Sequence, residues 1–485
     1  MVVLCRLSMR ITTLSPCVRR EGADTTRYPL FFLVATLLPL VVLSAGCRFA
    51  PRTVSALGSS YNSTTSSAQN AQVFELSGNL KQDILDPAAQ TFLPRDQDLY
   101  RIPTSSDLNV WRQVISAMLH GAMATAAHLV QPIAPSYKVI KFTDTSSTPA
   151  RVYHLLLEAD LNGTNIIPRA VTGWGLYAFD PTPVRDLAIS IPHIRADTNT
   201  EFEGNEALVT LRPASLLLFT SHRCASNTGS SCDGSTTACA RGFRVSDASH
   251  GANPSAPTLT STFQVAHEEL VKLKPSTVVI QFHGNAQTAC SDVVLSNGGN
   301  NFQIIPDGNI VRLKQSLVAL SINVIVCDHR PTPGECNLCG TTNLQARYSN
   351  GSTATPCQNP GPSPTNVERF IHVEQSQGIR QTPQTRRTVI QALEETTFAR
   401  CGYLVSPISQ YFGQSGGGGS VSLTALAGCS WMASTFDNWV VIVSGAGGMG
   451  NGTVEYEVRE NFTGSARQGT LLIAGQVLTI IQDGR

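Results

Sequence analysis

Short apolar runs that each close on a polar turn punctuate the middle of this chain. The run 187–192 leads into His193, with Glu201 eight residues on; 277–282 leads into His283; 370–373 leads into Glu374. Apolar runs of this length, bounded by turn signals, read as buried strands. Further strands are expected at 139–142 and 152–157, as a first and antiparallel layer, and at 215–219 and 322–327. Between them, 262–273 carries Phe263, Ala266 and Leu270 at helical spacing, and 202–211 and 310–320 also read as helices. Strand–helix alternation over 75–396 predicts an α/β domain, a mostly parallel sheet with helices on both faces. Past Thr396 the helical period stops. Short strands alternate with Gly- and Asn-rich turns, which predicts an all-β sandwich over 397–485.

The polar residues that end the three runs share one chemistry. Ligands in open α/β sheets gather beyond the carboxyl ends of the strands. Two histidines, a carboxylate and a spare glutamate there match a hydrolytic zinc site: three N/O ligands, an open position, and a base for the water proton. A polar loop bracketed by cysteines adds Arg223, Asp247 and His250. Loops of this kind carry substrate contacts, and Arg223 suits a substrate carboxylate.

Composition narrows the class. The chain has 485 residues, 42% hydrophobic and 14% charged, with a formal net charge of +1. It has no basic stripe with interleaved aromatics, so no nucleic-acid partner is expected. Arg19, Arg20 and Arg27 precede the apolar stretch 30–42, and Leu43-Ser44-Ala45-Gly46-Cys47 follows. That sequence resembles a bacterial lipobox, with Leu43 one position further from the cysteine than usual. The resemblance implies a lipoprotein-type signal peptide over 1–46, lipidation of Cys47 and a membrane anchor in the bacterial cell envelope. A Ser/Thr-rich tether is read over 47–74. Ten cysteines follow Cys47, and an even set in an exported chain favours disulfides. Bridges are expected within 224/232/239 and between Cys339 and Cys357, and one from Cys401 to Cys429.

Gly413-Gln414-Ser415-Gly416-Gly417 fits the G-x-S-x-G pattern of a nucleophile elbow. An elbow needs a strand before the serine, a helix after it and a later histidine. No histidine follows His372, so a serine hydrolase acting through Ser415 is the weakest reading. The order of segments around Tyr403, Trp431, Trp439, Gly450-Asn451-Gly452, Gly469 and Gly475 instead resembles a BACON-like, immunoglobulin-type domain across 401–485. That resemblance implies a module that binds glycans or spaces an enzyme, with Trp431 and Trp439 in its core.

Over 100–395, the order of Pro192-His193, Asp197 to Glu201, Ser221-His222-Arg223-Cys224, Ser246 to His250, Phe263 to Glu268, His283 and Glu374 resembles an exported bacterial family. Its site is similar to those of the N-formylglutamate amidohydrolases and poly-γ-glutamate hydrolases. The resemblance implies a carboxypeptidase-like zinc fold. In it His193 and His283 hold Zn2+ with Glu201 or Asp197, Glu374 is the general base, and Arg380 clamps a substrate carboxylate. The function expected is an exported zinc-dependent amide hydrolase acting on a small molecule or peptide. The alternative is a non-catalytic surface-binding lipoprotein in which the sandwich is the working part.

Overall fold

The computed structural model describes residues 72–162, 165–240, 242–286, 290–299, 305–327, 336–352, 355–359, 368–400, 402–426, 429–435 and 437–485. The stretches read as a signal peptide and as nearly all of a tether, with the expected lipidation residue Cys47, lie outside the described residues, as does Cys401. No described helix is long and apolar enough to cross a membrane.

Among the described residues, 11 strands form one mixed sheet. Ten of them, in chain order, are β1 (Val73–Gly78), β2 (Tyr137–Asp144), β3 (Arg151–Asn162), β4 (Leu176–Phe179), β5 (Arg185–Ile191), β6 (Pro213–Leu218), β7 (Val278–Gly284), β8 (Val293–Ser296), β9 (Val324–Val326) and β10 (Phe370–Gln375). Their spatial order is β1-β2-β3-β4-β6-β5-β7-β10-β8-β9. The longest parallel run is the central block β6-β5-β7-β10, and the edge pairs β1–β2 and β8–β9 are parallel as well. The sheet is mixed rather than mostly parallel, because β2, β3, β4 and β6 pair antiparallel in turn and β8 runs against β10. The link from β2 to β3 spans only 145–150, far too short for the crossover that a parallel pair needs.

The helices cover both faces. Helix α1 (Thr200–Leu211) connects β5 to β6, and α2 (Thr262–Leu273) precedes β7. Ser261 caps α2, its side chain accepting the Gln264 N–H. The sheet's two faces build two cores. Leu187, Ile189, Ile191, Val278, Ile280, Phe282, Ile371 and Val373 enter one. Ala188, Val279 and Phe370, the alternate positions, enter the other with Phe263 and Trp174. This period of two decides which side chains reach the site.

The C-terminal part is β-rich, as the turn pattern predicts. It forms a 4-stranded and a 5-stranded sheet around one core that includes Val421, Trp431, Tyr456, Leu471 and Ile480. Trp431 is buried and donates from Nε1 to the Gly450 carbonyl at 2.8 Å. Trp439 is half-buried under the Arg467 guanidinium, 4.2 Å from the ring centroid.

Disulfides join Cys224–Cys239, Cys232–Cys357, Cys290–Cys336 and Cys327–Cys339. The expected bridge from Cys339 to Cys357 is not formed: each pairs with a cysteine from a different loop. Cys429 is disulfide-bonded. Such a set belongs to an oxidising, extracellular or envelope compartment.

Candidate metal centre

The central parallel strands set the site. In the β7–β10 pair, His283 stands opposite Glu374 and Gln281 opposite His372. Phe282 and Val373 point to one core, so these four side chains share the other face. On its far side β7 pairs with β5. After Ile191 the chain turns at Pro192 and His193, and the Asp197 N–H donates back to the His193 carbonyl at 3.0 Å. Arg195 and Asn199 take left-handed φ values of 62° and 71°, which let this turn close before α1 starts.

Three donors converge there. Asp197 Oδ2 lies 3.1 Å from His193 Nδ1 and 3.1 Å from His283 Nδ1. The ligand atoms of the three residues all lie within 4.8 Å of one another, and all three residues are buried. Ligands about 2.0–2.2 Å from one tetrahedral ion stand roughly 3.3–3.6 Å apart, so a small relaxation would seat an ion. His193 Nε2 lies 3.0 Å from Asp247 Oδ1. An ionised carboxylate only accepts, so Nε2 donates and Nδ1 is left to the donor cluster. A carboxylate behind a histidine is the usual outer partner of a metal-bound imidazole. The residues present therefore fit a divalent ion such as zinc.

The electrostatics agree. Burial works against the Asp197 carboxylate, but His193 and His283 outweigh it and hold its pKa well below the ordinary range. Burial and Arg223 push His193 down; Asp247 and Asp197 win, leaving it raised. Burial drops His283 to about 4, so it is neutral at pH 7. Glu374 is pushed up to about 8, by burial first and by the Asp197 charge second.

The donors open on a cleft of about 470 Å³, which Glu374, His372, Arg223 and His250 also line. Its other walls are loops held by the disulfides, among them Thr236, Asn337 and Thr342. Glu374 Oε1 lies 3.8 Å from His372 Nε2, while Glu374 Oε2 is buried without a hydrogen-bond partner.

Several candidate residues sit elsewhere than the sequence suggests. Of the two carboxylates left open, Asp197 joins the histidines. Glu201 lies on α1, buried, with Arg195 at 3.6 Å; helix geometry carries it away from the turn that holds Asp197. Asp247 is fully buried behind the site and does not line the cleft. Its Oδ1 accepts from His193, from His250 Nδ1 at 3.2 Å and from the Ser249 N–H at 3.0 Å. Its Oδ2 takes Arg223 Nε at 3.0 Å and a terminal nitrogen at 2.8 Å. Arg223 thus spends two donors on Asp247 rather than holding them free for a carboxylate. His250 stacks on Phe243 at 4.1 Å and meets Thr342 Oγ1 at 3.2 Å. Arg380 is also tied down. It donates to the carbonyls of Gln375 at the end of β10 and of Thr198 and Asn285 in the loops that follow β5 and β7. These bonds brace the strand ends. Ser415 lies in an exposed turn between 409–412 and 417–425, with a strand rather than a helix after it.

Sequence reasoning missed His372 and Gln281. The signal was present: each lies two residues before a site residue on the same strand, hence on the same face.

Neither a family model nor a curated protein matches the chain. Some solved structures are similar in part. A Shewanella amazonensis protein, provisionally named a metallopeptidase, is 12% identical over 48% of this chain and 82% of its own, with a TM-score of 0.28. A Shewanella denitrificans protein of the same provisional name is 11% identical over 60% of this chain and 87% of its own, at 0.24. A Bacteroides ovatus GH5 xyloglucanase with a bound heptasaccharide is 19% identical over 17% of this chain, at 0.16; the match spans 19% of the xyloglucanase. At these TM-scores the likeness decides neither fold nor function, and the residues at the strand ends carry the case.

Proposed function

We propose that this chain is an exported, zinc-dependent amide hydrolase whose metal is held by His193, Asp197 and His283. One observation carries the reading: a carboxylate oxygen 3.1 Å from two imidazole nitrogens, with Glu374 in register beside His283 on an open cleft. A bound zinc ion supplies Lewis acidity toward a water and toward the amide carbonyl. Glu374 takes the proton of the attacking water and delivers it to the leaving amine as the C–N bond breaks. Burial suits it to both steps, because a carboxylate in an apolar setting binds a proton readily. Asp247 and Arg223 hold His193 in place, and the disulfide-held loops shape the substrate pocket. The substrate is an amide-containing small molecule or peptide. An anchor at Cys47 would keep the enzyme in the cell envelope, and the C-terminal sheets would space it from the membrane or bind glycans.

The test is metal analysis of the full chain, with a screen of N-acyl amino acids, γ-glutamyl polymers and cell-wall peptides. About one zinc per chain and amide cleavage are expected. Glu374→Gln should keep the zinc and lose at least about 100-fold in rate, the usual worth of a general base. His283→Ala should lose both. A chain that takes up no zinc and cleaves no amide would sink the reading and leave a surface-binding lipoprotein.

A further inference from the structure

Behind His283 lies a chain of buried amides whose orientations are fixed at both ends by backbone groups. At one end Asn343 accepts the Ala346 N–H on Oδ1 at 2.9 Å, so its amide nitrogen is the atom 2.6 Å from Gln281 Oε1. At the other end Gln345 donates from Nε2 to the Ala248 carbonyl at 2.9 Å. Its Oε1 is therefore the acceptor that meets Gln281 Nε2 at 3.1 Å. Gln281 Nε2 also reaches Ser190 Oγ at 3.0 Å. Turning the Gln281 amide over would set donor against donor at Asn343 and acceptor against acceptor at Gln345.

The orientation has a consequence for the neighbouring ring. Gln281 Oε1 lies 2.7 Å from His283 Nε2. A fixed acceptor there requires the proton on Nε2, because a neutral imidazole has one donor and one acceptor nitrogen. His283 Nδ1 then presents a lone pair to Asp197 Oδ2, 3.1 Å away. Two acceptors facing each other at that distance repel unless a cation lies between them.

We infer that Gln281 is a positioning residue: its fixed amide holds His283 as the Nε2–H tautomer and keeps Nδ1 free for the metal. His193 and His283 are thus backed differently, one by the Asp247 carboxylate and the other by a neutral amide, to the same end. The inference rests on the metal reading above, yet the tautomer can be read without metal.

The experiment is ¹⁵N NMR of the histidine rings in the metal-free full chain at pH 7.5, with zinc affinity measured by chelator competition. Wild type should show His283 as Nε2–H. In Gln281→Leu the acceptor is gone, so the proton should move to Nδ1, where Asp197 accepts it and closes the ligand position. Zinc affinity should fall about 10- to 100-fold, the usual effect of losing an outer partner. Gln281→Glu, its second oxygen protonated so that it still donates to Gln345 Oε1, accepts from Nε2 and should keep the tautomer, with affinity within a few-fold of wild type. Nε2–H persisting in Gln281→Leu, or unchanged zinc affinity there, overturns the proposal. Should that variant fail to fold, wild-type His283 found as Nδ1–H overturns it alone. A wild-type chain with the Nε2–H tautomer but no zinc uptake instead defeats the metal-hydrolase reading and leaves the tautomer assignment standing.

Discussion

Glu203 is the sharpest test of the electrostatics beneath the site. It lies on α1 and is fully buried. Its Oε2 accepts from Gln375 Nε2 at 2.8 Å, while Oε1 has no hydrogen-bond partner. Burial raises its pKa from 4.5 to about 8, against smaller opposing pulls from the Gln375 bond, Arg386 and Arg380. A carboxyl whose pKa is raised by folding is bound to its proton more tightly in the native state. It therefore costs nothing below pH 4.5, destabilises progressively as pH rises, and reaches its full cost above pH 8. At 1.36 kcal/mol per pH unit, the full cost is about 5 kcal/mol, of which about 3 kcal/mol is present at pH 7. Glu203→Gln keeps an acceptor for Gln375 and removes the titration. Its amide NH2 stands where the acid's O–H stands, so neither gains a partner. Denaturant unfolding of both chains from pH 4.5 to 8.5 should give coincident stabilities at the acid end. The variant should pull ahead by about 3 kcal/mol at pH 7. Equal pH slopes in the two chains would refute the argument. So would an advantage for the variant that is already full at pH 4.5.

Two further outcomes test the organisation of the chain. Ser415→Ala should leave hydrolysis unchanged, because Ser415 lies in an exposed glycine-rich turn of the C-terminal part; labelling of Ser415 by a fluorophosphonate probe would contradict that. Cys47→Ala should move the protein from the membrane fraction to the soluble fraction on cell fractionation, and unchanged detergent partitioning would dispose of the lipid anchor.

The parts of the site that the sequence displays are those tied to strand periodicity. The runs before His193, His283 and Glu374 are continuous because both faces of the central strands are buried. Their ends align because β5, β7 and β10 are parallel neighbours. The parts it hides depend on turns and distant partners. Asp197 and Glu201 both follow His193 closely. Only the left-handed turn at Arg195 and Asn199 decides that Asp197 folds back over the strand while Glu201 enters the helix. Arg380 reads as a free cation, because the three carbonyls that absorb it lie at the ends of three different strands. Asp247 reads as a loop residue open to substrate, because nothing local shows that His193 and Arg223 close over it from two sides. Gln281 is the deepest case. A lone glutamine in an apolar strand looks like an interruption, and its meaning depends on Asn343 and Gln345, more than sixty residues away. A buried amide is stable only when all its groups are paired. A network complete enough to be stable has a fixed direction, and that direction sets which nitrogen of His283 carries the proton. The ligands are thus named by short-range pattern, while the chemistry they can perform is set by long-range contacts.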